Sequence, residues 1–145
     1  MGSISLSEKR LVITGGARGL GRAFVEAAIK AGARVVVADI LEDLGRQTVK
    51  KLSRLGEVYF ESVDLGDPGS IAALSERSIN QLGGVDGLVN CAAIATGIGG
   101  KTADEIDVET WDRVMTVNVR GTWLAVRAFS PALRAAGNGK IVNIA

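Results

Sequence analysis

Thr14-Gly15-Gly16-Ala17-Arg18-Gly19-Leu20-Gly21 decides how this 145-residue chain is read. It joins a short apolar run, Leu11-Val12-Ile13-Thr14, to a segment with helical periodicity. Glycines between a strand and a helix let the backbone turn tightly and let a phosphate approach amide groups at the positive helix N-terminus. Three phosphate-binding spacings can be set against it. A Gly-x4-Gly-Lys-Ser/Thr loop is met at Gly16 and Gly21, but Arg22-Ala23 supply neither the lysine nor the hydroxyl. The G-x-G-x-x-G spacing, begun at Gly15 and Ala17, fails as well. What stands is T-G-x-x-x-G-x-G, with Gly15, Gly19 and Gly21 in place. An ordinary glycine-rich turn is the plain alternative, and residues downstream decide between the two.

Outward from this turn, apolar runs alternate with helical periodicity to the end of the chain, which predicts a parallel α/β sheet. Leu20, Phe24, Ala27, Ala28 and Ala31 predict the buried face of a first helix, closed by Gly32. Arg34-Val35-Val36-Val37-Ala38 reads as a strand buried on both faces. Leu41, Leu44, Thr48, Leu52 and Leu55 mark a second helix, stopped by Gly56, and Val58 to Val63 a third strand. Asp67-Pro68 supplies a cap and first-turn proline to a helix whose inner face is Ile71, Leu74, Ser78 and Leu82. Gly87-Leu88-Val89-Asn90 is a fourth strand, a long helix runs from about Thr110 to Ala136, and Gly139 to Ile144 opens a fifth strand. Such short connections between parallel strands predict right-handed crossovers. A parallel strand at a chain end leaves an open edge or face, so the stop at Ala145 predicts a domain cut short.

Composition narrows the function. Hydrophobic residues make up 47% and charged residues 23%, a globular balance, and 17 basic against 16 acidic residues give no electrostatic case for nucleic acid or an anionic membrane. The mean hydropathy of +0.25 comes from strands and small residues, since no apolar run approaches a membrane span. Without histidine there is no Ser-His-Asp triad and no His-ligated metal. The lone Cys91 closes no internal disulfide, and the N-terminus lacks the apolar region of a signal peptide. Gly2 lacks the Ser or Thr a myristoylation motif wants where Leu6 stands. The expectation is a cytoplasmic protein in a reducing compartment.

Asp39 closes the second strand, eighteen residues beyond Gly21. A carboxylate there can accept the hydroxyls of an adenosine ribose, and it repels a 2′-phosphate, which favours NAD over NADP. An isolated aspartate would read as a solvated turn residue.

Five features now coincide in order: the Thr14–Gly21 turn, Asp39, Asp64-Leu65, Asn90-Cys91-Ala92-Ala93, and Asn118 within Val117-Asn118-Val119-Arg120-Gly121. On these residues the chain resembles the N-terminal, cofactor-binding part of a short-chain dehydrogenase/reductase, over essentially its whole length. The resemblance implies a Rossmann-like, doubly wound α/β sheet of five strands in the order 3-2-1-4-5, with residues 1–145 as one NAD(P)-binding domain cut before the catalytic Ser/Tyr/Lys segment. It implies that Gly15, Arg18, Gly19, Leu20 and Gly21 lie along the pyrophosphate, that Asp64 bonds the adenine amino group, and that the Leu65 backbone helps hold the ring. Asn90 braces the sheet and the ribose side, with Ala92 beside it. Cys91 and Ala93 depart from the family's Asn-Asn-Ala-Gly, and Ala93 lacks glycine's φ freedom. Asn118, a poor mid-helix residue, would belong to the family's catalytic tetrad, perturbing its helix so that a water joins a proton relay. Arg18 resembles the basic residue of NADP-using members; Asp39 outweighs it, because a carboxylate at the 2′-phosphate position costs more than an exposed arginine gains.

The family's chemistry needs a serine, a tyrosine and a lysine, expected after Ala145 and absent from these residues. Tyr59 lies in the third strand with no lysine at a suitable spacing. Two readings stay open: the cofactor-binding half of an NAD-dependent enzyme interconverting a small secondary alcohol and a ketone, or a non-catalytic nucleotide-binding module or inactive truncated chain. A sugar-nucleotide-modifying relative would want glycine where Arg18 stands. The loop Ile94 to Asp107, with Thr96 and small glycines, borders the expected substrate space. The small face Gly121, Ala125, Ala128 and Ala132 fits either packing within the chain or the interface of a homo-oligomer, dimer or tetramer.

Overall fold

The computed structural model describes residues 4–95 and 97–145, so Gly2 and Thr96 lie outside the described residues. Five strands form one parallel sheet: β1 (Arg10–Thr14), β2 (Arg34–Asp39), β3 (Val58–Ser62), β4 (Gly87–Asn90) and β5 (Lys140–Asn143). Their order is β3-β2-β1-β4-β5, as anticipated. Helices α1 (Gly19–Lys30), α2 (Glu42–Leu52), α3 (Pro68–Leu82), α4 (Val108–Val114) and α5 (Thr122–Ala135) cover it, α4 and α5 joined by a π-helical segment, Met115–Gly121.

Alternation along each strand sorts the core into two layers. Val12 and Val36 join Leu74, Leu82, Leu88 and Phe129 on the α3–α5 side, while Ile13, Val35 and Val37 join Val25, Ile29 and Leu52 on the α1–α2 side. Both central strands are therefore apolar on successive residues, as a sheet covered on both faces requires. Asp67 caps α3 by accepting from the Gly69 N–H at 2.9 Å, with Pro68 at the first helical position, and Gly83 closes it at φ 75°.

Two expectations are corrected and one open alternative is decided. The buried face of α1 is Gly21, Val25, Ala28 and Ile29; Leu20 and Ala27 are exposed. Gly21 sets this rotation, because a Cβ there would overlap the Gly15 carbonyl oxygen. On α2 the buried residues are Gly45, Thr48 and Leu52, and both Leu41 and Leu55 are exposed. Finally, the small helix face packs within the chain. Gly121 sits against Leu65, Ala125 is fully buried, Ala128 accepts from Ser75 Oγ at 3.0 Å, and Ala132 packs on the core. Small residues here allow the α5 backbone to approach α3 and the end of β3.

Candidate active site at the carboxyl ends of the strands

Parallel strands deliver their last residues to one edge of the sheet, and the chain reverses there on either side of β1, where ligands bind in open α/β sheets. Thr14, Asp39 and Asn90 end β1, β2 and β4, and Asp64-Leu65 follows β3 on the same edge.

The glycine-rich turn is built by close approach. Gly15 has φ 71°, and a Cβ on it would lie 2.7 Å from the Ala92 Cα and N. Gly21 packs on the Gly15 carbonyl, so neither position accepts a side chain. Gly19, at φ 58°, opens α1 with nothing within 4 Å of a Cβ placed there. A concave backbone with open space beside a helix N-terminus fits a diphosphate. Arg18 and Leu20 flank it, both exposed, Leu20 at 64%.

Asp39 is only 7% exposed, and each of its oxygens is already engaged. Oδ2 accepts from the Ala17 N–H at 3.0 Å and Oδ1 from the Leu41 N–H at 3.0 Å. A carboxylate offers about four lone-pair sites, so each oxygen retains acceptor capacity toward the cleft, which fits a ribose diol. Asp64 is exposed; its Oδ1 accepts from the Gly66 N–H at 2.8 Å and its own N–H donates to Ser70 Oγ at 2.9 Å. Leu65 beside it is buried.

Across β1, Thr14 organises the end of β4. Its buried Oγ1 accepts from the Cys91 and Ala92 N–H groups, both at 3.2 Å. Asn90, 4% exposed, donates from Nδ2 to Asn143 Oδ1 at 2.8 Å, while its own Oδ1 has no partner. A buried amide oxygen left unpaired is costly, and this one stands at the edge where a ligand hydroxyl or a water could donate to it. Ala93 replaces glycine without strain, because Glu8 is the one non-glycine residue with positive φ among the described residues. Burial pushes the Cys91 thiol up from its ordinary pKa, which keeps it protonated and unreactive.

Asn118 lies mid-way through the π-helical segment. Its side chain clamps one residue of the β4 loop: Oδ1 accepts from the Ile94 N–H at 2.7 Å and Nδ2 donates to the Ile94 carbonyl at 3.0 Å. Its own carbonyl accepts from Thr122 Oγ1 at 2.8 Å. The expected perturbation of the helix is thus present as a widened turn, a device common at functional sites. Tyr59, the chain's one tyrosine, is elsewhere; its hydroxyl donates to Glu57 Oε1 at 2.6 Å.

Sequence reasoning missed two contributors. Thr14 was part of the motif, but its bond to the β4 loop was not foreseen. Thr48, counted as part of an apolar helix face, donates from Oγ1 to the Ala17 carbonyl at 2.8 Å. A β-branched hydroxyl on a buried helix face was the available signal for it.

Known proteins resemble this chain in sequence and fold. A family profile described as short chain dehydrogenase matches residues 9–145. An uncharacterized oxidoreductase of Thermotoga maritima is 34% identical over 97% of this chain and 54% of its own length. A 3-alpha-(or 20-beta)-hydroxysteroid dehydrogenase of Mycobacterium tuberculosis is 33% identical over 94% and 50%, and a sorbitol dehydrogenase of Cereibacter sphaeroides 37% identical over 97% and 53%. A solved hydroxysteroid dehydrogenase from Escherichia coli superposes with a TM-score of 0.86 at 28% identity, over 97% of this chain and 56% of that one. The chain spans about half the length of the curated relatives it matches. With the family profile matching residues 9–145, the chain belongs to the short-chain dehydrogenase family.

Proposed function

We propose that this chain is the cofactor-binding part of an NAD-dependent oxidoreductase that interconverts a secondary alcohol and a ketone. The observation that carries the reading is Asp39, a buried carboxylate fixed against the glycine-rich turn. Gly15, Gly19, Leu20 and Gly21 form the cradle for the pyrophosphate. Asp39 takes the ribose diol and repels a 2′-phosphate, and Arg18 stays a solvent-facing neighbour of the phosphates. Asp64 and Leu65 border the adenine, while Asn90 and Ala92 border the nicotinamide ribose. Bound NAD supplies the hydride acceptor.

Asn118 belongs to the catalytic set and acts by position, because its amide is spent on Ile94. It fixes the loop that borders the substrate space. The serine, tyrosine and lysine of that set belong to the length of the relatives that this chain does not span. Relatives named for a hydroxysteroid and for sorbitol support an alcohol as the substrate class. Among the described residues no helix is long and apolar enough to cross a membrane. That is compatible with a cytoplasmic placement, which the lone Cys91 also favours.

The proposed homo-oligomer would use the outer face of α4 and α5 rather than the small face. Trp111, Met115, Val119 and Trp123 recur every four residues there and are 40–58% exposed. A π-turn holds more residues than the 3.6 of an α-turn, so this spacing stays on one face. Asp112 lies toward one end of the face and Arg120 and Arg127 toward the other, a layout that pairs with itself in an antiparallel two-fold contact.

Titrating the full-length protein with NAD and NADP tests the cofactor reading. NAD should bind about 10-fold or more tightly, equivalent to about 1.4 kcal/mol, and Asp39→Ala should shrink or reverse that ratio. Tighter NADP binding by the unmodified protein would end it.

A further inference from the structure

Thr48 is buried in the middle of α2 at 1% exposure, with Gly45 and Leu52 on the same inner face. The cluster on that side of the sheet is otherwise apolar, with Val25, Val37 and Leu52 among its members. Packing alone would favour an aliphatic residue there, and threonine is a weak helix former. Its hydroxyl is aimed instead at the glycine-rich turn, thirty-one residues away in sequence, where it donates to the Ala17 carbonyl at 2.8 Å. Ala17 is fully buried, so without Thr48 that carbonyl would be left unpaired away from water.

The consequence runs in two directions from Ala17. Its N–H donates to Asp39 Oδ2, so the same residue is tied to α2 through its carbonyl and to β2 through its amide. The peptide that follows Ala17 is planar and trans, and its N–H, that of Arg18, points opposite to the carbonyl that Thr48 holds. Pinning the carbonyl onto α2 therefore turns the Arg18 N–H away from α2. One hydroxyl orients a backbone donor and, through the Ala17 amide, steadies the carboxylate beside it.

We propose that Thr48 is a positioning residue of the cofactor site, holding Ala17 so that Asp39 is preset for the vicinal diol of an adenosine ribose. This rests on the reading of Asp39 given above. Discrimination between NAD and NADP then depends on a residue of α2 that lies beneath the turn, behind the groups assigned to the cofactor.

The test compares Thr48→Val, which keeps the shape and removes the donor, with Thr48→Ser, which keeps the donor and removes a methyl group. The full-length protein is used throughout. Two readouts are taken: hydrogen exchange at the Ala17 amide without cofactor, and the ratio of NAD to NADP dissociation constants. In Thr48→Val the Ala17 amide should exchange about 3–10-fold faster, and the ratio should move toward unity by a similar factor, as expected for one lost hydrogen bond. Thr48→Ser should restore both to within about 2-fold of the unmodified protein. Unchanged exchange and ratio in Thr48→Val would overturn the proposal, and so would equal shifts in the two variants, which would mean packing alone. If the unmodified protein shows no preference for NAD, the Asp39 reading fails and the cofactor role of Thr48 fails with it. Faster Ala17 exchange in Thr48→Val would then still identify the clamp as a feature of the fold.

Discussion

The two ends of the sheet are closed by different chemistry. At the amino ends of the strands, charge meets charge. Arg10 forks onto Asp86 through Nε at 2.8 Å and Nη2 at 3.0 Å, and its Nη1 donates to the Gly83 carbonyl at 2.7 Å. Arg34 reaches the Leu82 carbonyl at 3.0 Å and Glu57 at 2.7 Å. Two guanidinium groups thus serve the last carbonyls of α3, where a helix end favours cations. At the carboxyl ends, Thr14, Asp39 and Asn118 are spent on backbone amides of Cys91, Ala92, Ala17, Leu41 and Ile94. One end is saturated by ion pairs and finished. The other holds loops in place while keeping unused acceptor capacity, on Asp39 and on the unpaired Asn90 Oδ1. If the first kind of closure supplies stability and the second the proposed site, damage at the two ends should separate into loss of stability and loss of binding or turnover.

The harshest test of the carboxyl end is Gly21→Ala. The added Cβ meets the Gly15 carbonyl oxygen, a backbone atom with no side-chain freedom to yield. Forcing α1 away from the turn should cost about 1–3 kcal/mol in urea unfolding. NAD affinity should fall by about 10²-fold, because a cradle opened at ~2.7 kcal/mol loses that factor. Here stability and binding fall together, because Gly21 belongs to both core and cradle. An unchanged NAD affinity would show that the cradle is not where the diphosphate lies.

Asn118→Ala should act more selectively. It frees Ile94 N–H and C=O from the π-helical segment and leaves the glycine turn untouched. Turnover of the full-length enzyme should drop by about 10²-fold, the scale of a small misplacement of reacting groups, while the NAD dissociation constant stays within about 3-fold. A fall confined to KM, or a matching loss of NAD affinity, would move Asn118 from the catalytic set to general loop support.

How much of this was legible in the sequence depends on whether the partner of a residue is local. The alternation of strands and helices and the Asp67-Pro68 cap are local signals, and each stands where it was expected. The candidate site residues Asp39 and Asn118 stand out in the sequence as polar residues at a strand end and mid-helix. The face of α1 differs because the expected register starts from Leu20, whereas Gly21, in contact with a carbonyl, sets the rotation and brings Val25, Ala28 and Ile29 inward. The π-helical segment is traced in the sequence by Asn118 at mid-helix and by the four-residue spacing of Trp111, Met115, Val119 and Trp123. The partners of Thr48 and Thr14 are not legible in the sequence, because these residues bond main-chain atoms thirty-one and more than seventy residues away; a hydroxyl on the buried face of α2 marks Thr48 as polar without saying what it holds.

The amino end gives the smallest effect and the cleanest contrast. Arg10 bonds Asp86 from its side chain and its backbone N–H, and the arginine hydrogen bond is the main reason the Asp86 carboxyl is held below the usual aspartate range. A carboxyl whose folded pKa lies below its unfolded value binds fewer protons in the folded state. Its contribution is therefore complete above the unfolded value, about 3.9, and is lost as pH falls through the folded one. Asp86→Asn should cost about 1–2 kcal/mol at neutral pH, the lower part of the range for a charge-assisted pair, since solvent still reaches 25% of the Arg10 side chain and 16% of that of Asp86. Below the folded value the variant and the unmodified protein should converge, so the acid limb of the stability curve flattens. NAD affinity should not move, because the substitution lies at the opposite end of the strands from Asp39. If urea unfolding at several pH values shows the flattened limb and a titration shows NAD binding weakened as well, the two ends are coupled through β1 and the separation drawn between them fails.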